Sequence, residues 1–135
     1  MMKTFNVEVK KTIQFTEEDF NDILCSCFEG GCGYWCCIDN DTDEWVEARS
    51  ELHLHGNTDP TVEDIMLQML INGKAIRLID QEEDEAYYLS MLRFTTGIRM
   101  SIENGFWDGK SIWDVDGLVG DAIIQYAIFG EQVYG

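Results

Sequence analysis

The chain has 135 residues, of which 45% are hydrophobic and 12% aromatic, a composition that favours one packed domain and excludes a disordered chain. Its 26 acidic and 9 basic residues give a formal net charge of −17. Such a charge repels nucleic acid and anionic membranes and attracts basic surfaces. We therefore expect a partner with a basic protein surface and no direct binding to nucleic acid or membrane.

Neither a membrane span nor a signal peptide is predicted. No apolar run approaches the roughly 20 residues that a span needs, and residues 1–5 contain no apolar segment of the kind that signal peptides carry. We therefore expect a cytoplasmic protein whose five cysteines stay reduced. Their odd number also argues against a complete set of disulfides.

The N-terminal residues predict a half-buried strand. Phe5, Val7 and Val9 alternate with polar residues, and so do Ile13 and Phe15. Apolar side chains at every second position of a strand face the same side of a sheet.

A helix is predicted to begin after Thr16. The Thr16 hydroxyl can accept the backbone N–H of Asp19 while the Asp19 carboxylate reaches back, as in a capping box. The apolar residues that follow recur at helical spacing and form one stripe: Phe20, Ile23, Leu24, Cys27 and Phe28. Gly30 and Gly31 end the helix, and we expect one of them to take the left-handed conformation.

The next region predicts strands. The run from Tyr34 to Ile38, rich in aromatic and apolar residues, is typical of a buried strand, and the Asp and Asn residues at 39–43 predict a hairpin turn. Trp45 and Val46 then begin the return strand. Residues 51–55, in which polar and apolar side chains alternate, predict a further short strand.

The second half of the chain predicts three further helices and two strands. Capping residues precede the three helices: Asp59 or Thr61, Ser90 and Asp116. The two strands span residues 75–79 and 86–89 and flank an acidic turn at 81–85. This order of elements predicts a single α+β domain over residues 1–135, with a mostly antiparallel sheet and three to four helices packed on one face.

Short motifs near both ends of the chain form a distinctive set: Thr16-Glu17-Glu18-Asp19, Phe28-Glu29-Gly30-Gly31, Tyr34-Trp35-Cys36, Ile124-Gln125-Tyr126-Ala127, Phe129-Gly130-Glu131 and Val133-Tyr134-Gly135. Through these motifs the chain resembles a family of small acidic proteins found in phages and mobile elements of Gram-positive bacteria. The resemblance implies an origin in mobile DNA and a role in countering host defence inside the host cytoplasm. It implies no particular activity.

The cysteines follow the pattern Cys25-x-Cys27-x4-Cys32-x3-Cys36-Cys37. Structural zinc sites usually combine closely spaced cysteine pairs with a second pair or with histidines further along the chain. Cys25 and Cys27 are expected on different faces of a helix, and Cys36 and Cys37 on opposite faces of a strand. The pattern therefore favours packing in the core, with a small metal-binding protein as the alternative.

His53 and His55 lie two apart on a predicted strand, which puts both side chains on one face. Such a pair could bind a metal together with a carboxylate, although two polar side chains facing solvent are more typical. No serine or cysteine near them belongs to a recognisable nucleophile motif.

Residues 30–33 follow a helix instead of opening one, so they do not predict a phosphate-binding loop. We therefore expect neither enzymatic activity nor a bound metal or cofactor.

Acidic residues gather in three clusters: Asp39, Asp41, Asp43, Glu44 and Glu47; Asp80, Glu82, Glu83, Asp84 and Glu85; and Glu17, Glu18, Asp19 and Asp22. The first is not an EF-hand loop, because its sixth and twelfth positions hold Glu44 and Ser50 instead of Gly and Glu. One acidic turn is typically only solvated. Three clusters and a net charge of −17 can instead imitate the phosphates of nucleic acid, and we expect the contact to involve the first cluster and residues 82–85.

Two functions follow from these observations. The first is an acidic mimic of nucleic acid that inhibits a host defence effector, such as a CRISPR nuclease, by occupying its basic channel. The second is an oligomeric module, for which a homodimer is the simplest form, that sequesters a nucleotide signal. Four aromatic residues could stack on such a ligand, with core packing as their alternative role: Tyr34, Trp35, Trp107 and Trp113.

Overall fold

The computed structural model describes residues 12–135. In this range the chain forms five α-helices: α1 (Glu17–Phe28), α2 (Asp43–Leu54), α3 (Val62–Ile71), α4 (Met91–Glu103) and α5 (Gly117–Phe129). Three strands form one antiparallel sheet in the order β1 (Cys36–Ile38), β2 (Ile76–Asp80) and β3 (Glu85–Leu89). The predicted α+β class with an antiparallel sheet is confirmed. None of the helices in the described range has the length and apolar character that crossing a membrane requires.

The predicted N-terminal strand falls largely outside the described residues. Phe5, Val7 and Val9 precede residue 12, where the description begins. Ile13 and Phe15 lie before α1 without regular secondary structure. The ring of Phe15 packs on that of Phe20, with centroids 5.8 Å apart, so this segment covers the start of α1.

The predicted helix starts are confirmed wherever a capping residue was identified. The Thr16 hydroxyl accepts the N–H of Asp19 at 3.1 Å, and the Asp19 carboxylate accepts the N–H of Thr16 at 3.0 Å. In three further helices the cap side chain accepts the N–H three residues along: Thr61 in α3, Ser90 in α4 and Asp116 in α5. Gly30 takes the expected left-handed conformation after α1, with φ of +89°.

The hairpin and strands predicted within residues 39–55 are wrong, because most of this stretch forms α2. Thr42 caps the helix by accepting the N–H of Trp45 at 3.2 Å. Two acidic residues in the first turn stabilise the helix through their favourable interaction with the positive end of its dipole. Trp45 and Ala48 lie three residues apart and bury one face of the helix. The alternation near the end of the stretch is coincidental, since Leu54 is exposed.

The sheet is covered by helices on one face. β1 is shorter than predicted, because Tyr34 belongs to a short 3₁₀ turn over Cys32–Tyr34. Alternate residues of the central strand β2 are buried: Ile76, Leu78 and Asp80. Arg77 and Ile79 lie on the opposite, more exposed face. The predicted one-sided packing of helices follows from this alternation.

Helix α5 lies at the centre of the fold and packs against α1, α4 and β3. Its residues from Val119 to Gln125 are all buried. Two glycines permit this close packing. A Cβ added at Gly97 of α4 would overlap the carbonyl oxygen of Ile123, and one at Gly120 would lie 2.5 Å from the carbonyl oxygen of Ser26. Helices α1 and α4 therefore pack closely on α5, whereas α3 packs on α1 and α2 packs on α3.

Candidate functional site

The turn between β2 and β3 is exposed and is braced by a buried carboxylate. Asp80 is fully buried, and its Oδ1 accepts the N–H of Glu82 at 2.9 Å and that of Glu83 at 3.3 Å. Its Oδ2 accepts the hydroxyl of Tyr134 at 2.7 Å. Asp84 completes the turn in the left-handed backbone region, with φ of +54°. One carboxylate therefore joins the turn to the C-terminal residues.

Four consecutive carboxylates on this turn and at the start of β3 are exposed: Glu82, Glu83, Asp84 and Glu85. We call them the turn cluster. Within residues 12–135 none of them forms an ion pair, so no basic side chain of the described chain neutralises their negative charge. Glu85 accepts the hydroxyl of Tyr87 at 2.9 Å, and this hydrogen bond raises the pKa of Tyr87.

The acidic residues around the start of α2 lie in different environments. Asp39 is engaged within the protein, because its carboxylate accepts Nη1 of Arg77 at 2.6 Å and the N–H of Asp41 at 3.0 Å. The Asp41 amide and the Arg77 guanidinium lower the pKa of Asp39. The other members are exposed and form no ion pair with a described residue: Asp41, Asp43, Glu44 and Glu47. We call these four the α2 cluster.

The two clusters lie at opposite ends of the sheet. The N–H of Asp39 donates to the carbonyl of Arg77 at 2.9 Å, near the start of β2. The N–H of Gln81 donates to the carbonyl of Trp35 at 2.8 Å, beyond the end of β2. The five residues of β2 that separate these two ends span about 13 Å. A partner that contacts both clusters must reach beyond both ends of this strand.

The third acidic cluster is explained largely by α1 itself. Asp19 completes the capping box with Thr16. Glu17 and Glu18 lie in the first turn of the helix, where negative charge is favourable near the positive end of the dipole. Asp22 is exposed.

Tyr34 and Trp35, two of the four predicted stacking residues, meet at one buried carboxylate. Trp35 is 1% exposed and donates its indole N–H to Oδ1 of Asp121 at 2.8 Å. The Tyr34 hydroxyl donates to Oδ2 of Asp121 at 2.7 Å. Burial and this hydrogen bond raise the pKa of Tyr34 to about 12. The Trp35 ring stacks on Tyr134, with centroids 5.0 Å apart, so it belongs to the core.

The remaining two predicted stacking residues differ in exposure. Trp107 is buried and donates its indole N–H to the hydroxyl of Ser101 at 2.8 Å. Trp113 lies on a 3₁₀ turn and is 83% exposed. Of the four predicted residues, Tyr34 and Trp113 are therefore accessible to a ligand.

Gln125 joins Asp121 to the end of the chain. Its side-chain amide donates to Asp121 at 3.0 Å, and its Oε1 accepts the N–H of Val133 at 2.7 Å and that of Tyr134 at 2.8 Å. Three motifs that carry the resemblance meet in this network: 34–36, 124–127 and 133–135. Neither Asp121 nor Gln125 is a predicted site residue. The available signal was two polar residues one turn apart in an otherwise apolar helix.

The predicted directions of the cysteines are confirmed. Cys27, Cys32 and Cys36 are buried in the core. Cys25 and Cys37, next to them in the sequence pattern, are half-buried. The three buried thiols pack as small apolar groups, as expected.

The prediction that His53 and His55 share a face is wrong. His53 lies in the last turn of α2, and His55 follows as its C-terminal cap. Residues two apart on a helix point about 200° away from each other. The His55 Nδ1 lies 2.8 Å from the carbonyl oxygen of Glu51. These two rings therefore do not converge on one ion.

No protein-family model, curated protein or solved structure shows significant similarity to this chain. The candidate site is therefore defined by the structure of this chain alone. In that structure the turn cluster is exposed and braced, and the α2 cluster lies at the other end of the sheet. It places Trp35 and Trp107 in the core.

Proposed function

We propose that this protein acts by binding, as an acidic mimic of nucleic acid that inhibits a nucleic-acid-binding defence effector of a host cell. The observation that carries the proposal is the turn cluster, whose four exposed carboxylates stand on a turn braced by Asp80. The net charge of −17 supports it, because a basic channel attracts such a protein at long range. The resemblance to phage and mobile-element proteins supports the setting of host defence.

Bracing matters because a mimic gains affinity when its charges are held in place before binding. Ordering a mobile turn on association would cost about 1–2 kcal/mol per residue in backbone entropy. The amides of Glu82 and Glu83 are already bonded to Asp80, and Asp80 is fixed by burial and by the Tyr134 hydroxyl. The carboxylates of the turn therefore approach a partner on an ordered backbone.

The α2 cluster supplies a second point of contact. It lies beyond the other end of β2 from the turn cluster, and this strand is about 13 Å long, whereas phosphates follow one another about every 3.4 Å along the axis of each DNA strand. The strand alone thus spans about four phosphate intervals. A channel shaped for duplex nucleic acid is long enough to meet both.

A displacement experiment tests the proposal. Immobilised wild-type protein captures basic proteins from a bacterial lysate at low salt, and each captured nuclease is purified and loaded with fluorescently labelled duplex DNA. We expect the wild-type protein to displace the DNA, measured by fluorescence anisotropy. The affinity should fall steeply as salt is raised, because exposed charges are screened.

A matched pair of charge-reversal variants localises the contact. Glu82→Lys/Glu83→Lys/Asp84→Lys changes the turn cluster, and the control reverses three exposed acids elsewhere and so leaves the same net charge: Asp22→Lys/Asp59→Lys/Glu131→Lys. We expect the turn variant to bind about 100-fold more weakly and the control to retain most of its affinity. An affinity that does not change with salt, or an equal loss in both variants, would contradict the proposal.

A further inference from the structure

Cys25, Glu29 and Glu63 form a cluster that lies outside the proposed binding surface. One ligand atom from each, a sulfur or a carboxylate oxygen, lies within 4.8 Å of the other two. Cys25 and Glu29 are one turn apart at the end of α1, and Glu63 lies in the first turn of α3. The cluster therefore joins two helices that pack against each other.

Glu63 is the member that indicates a ligand. Its side chain belongs to a residue only 5% exposed, and its Oε1 is buried without a hydrogen-bond partner among the described residues. A buried carboxylate oxygen is normally satisfied by a donor or a cation. A carboxylate oxygen of Glu29 lies within 4.8 Å of the ligand atom of Glu63 and adds negative charge beside it. A cation is therefore a partner that could satisfy both carboxylates.

We propose that this cluster binds one divalent metal ion of the zinc class through the Cys25 thiolate and one carboxylate oxygen each from Glu29 and Glu63. Zinc accepts both sulfur and oxygen ligands, and three protein ligands leave one position for water. A thiolate ligand disfavours calcium and magnesium, which prefer oxygen throughout. The inference is independent of the proposed inhibitor function.

Metal binding exchanges one hydrogen bond for metal–ligand bonds. The Cys25 thiol donates to Oε2 of Glu29 at 2.9 Å. When the metal binds, the S–H bond breaks, its proton leaves to solvent, and a sulfur–metal bond forms. Ligand atoms around tetrahedral zinc lie about 3.5 Å apart, so the two atoms must separate by roughly half an ångström. Glu29 is exposed at the helix end and can make this adjustment.

Cobalt(II) is a suitable probe, because a thiolate ligand gives it a charge-transfer band in the near ultraviolet. We expect metal-free, reduced wild-type protein to develop this band on titration with Co²⁺ and to saturate at one equivalent. Added Zn²⁺ should abolish the band by competition. Zn²⁺ should also raise the melting temperature, because the ion binds the folded arrangement of α1 and α3.

Two ligand variants and one control test the assignment of the ligands. We expect Cys25→Ser to abolish the charge-transfer band and Glu63→Gln to lower the affinity for Co²⁺ about 100-fold. Cys37→Ser is the matched control, because Cys37 is likewise half-buried but lies in β1, and it should keep the full band. Circular dichroism of each variant checks that it is folded. The proposal is overturned if folded wild-type protein gives no band, or if Cys25→Ser gives the same band as wild type.

Discussion

Two populations of acidic residues differ in what surrounds them. Asp80 and Asp121 are buried, and each accepts three hydrogen bonds, of which at least one comes from a distant part of the chain. The turn cluster is exposed, and its carboxylates form no ion pair with the described residues. The first population therefore holds the fold together, whereas the second is left available to a partner.

The difference shows that the net charge of −17 is not one property with one role. Some carboxylates are bonded within the protein. Asp39 pairs with Arg77, and Asp19 and Asp116 accept backbone N–H groups at helix caps. The populations are also connected, because Asp80 is buried yet holds the turn that presents the exposed charges. Substitutions of the buried carboxylates should therefore lower the stability of the protein, whereas substitutions of the turn cluster should weaken partner binding and change stability little.

The largest loss of stability is expected for Asp121→Ala. The substitution leaves the buried indole N–H of Trp35 without its acceptor and removes one acceptor of the Gln125 side-chain amide, which should lower the free energy of unfolding by about 3–5 kcal/mol. Chemical denaturation measures this change. Asp121→Asn keeps the shape and one acceptor oxygen and should lose less. A loss below about 1 kcal/mol for Asp121→Ala would show that Asp121 does not hold the fold together.

A smaller loss, about 2–3 kcal/mol, is expected for Gln125→Leu, because it keeps the buried volume but removes the acceptor of two backbone N–H groups. Hydrogen exchange should become faster at the amides of Val133 and Tyr134. Gln14→Leu, at an exposed glutamine before α1, is the control and should change neither quantity. Unchanged exchange in Gln125→Leu would show that other contacts hold the C-terminal residues.

The parts of this structure that could be predicted from the sequence depend on contacts between residues close in the chain. A cap such as Thr16 or Ser90 bonds to an amide three residues away, so its signal is complete within one turn. The stripe of α1 is equally local. Its members Ile23, Leu24 and Cys27 are buried as their spacing predicts.

The parts that could not be predicted depend on long-range contacts or on weak local signals. Trp35 bonds to Asp121, 86 residues away, and Tyr134 bonds to Asp80, 54 residues away. No spacing rule connects such residues. The α2 helix could not be predicted for another reason: the acidic residues before it are also typical of turns, and residues 51–55 at its end alternate as a strand does.

Alkaline pH should weaken the buried network through Tyr34. The folded protein raises the pKa of Tyr34 to about 12, above the ordinary value of about 10. The resulting stabilisation is complete below about pH 10 and is lost as pH rises towards about 12. We expect the urea midpoint to fall over this interval and Tyr34→Phe to reduce the fall. Part should remain, because the hydrogen bond to Asp80 also raises the pKa of Tyr134.

The control for this pH dependence is Tyr88→Phe, at an exposed tyrosine of β3 that makes no side-chain hydrogen bond to either buried carboxylate in the described chain. It should leave the alkaline fall of the midpoint unchanged. An identical fall of the urea midpoint in wild-type protein and in Tyr34→Phe would show that Tyr34 does not contribute to the alkaline loss of stability.

The smallest effect on stability is expected for Glu82→Lys/Glu83→Lys/Asp84→Lys. These side chains are exposed and have no ionic partner in the described part of the chain, so the charges contribute little to stability. The free energy of unfolding should fall by about 1 kcal/mol, mostly because position 84 has a left-handed backbone that favours aspartate over lysine. The amides that bond to Asp80 belong to the backbone and remain after the substitution. Denaturation and DNA displacement measured on the same samples then separate the two populations. A stability loss above about 2 kcal/mol would show that the turn cluster helps to hold the fold together, because exposed charges alone cannot produce such a loss.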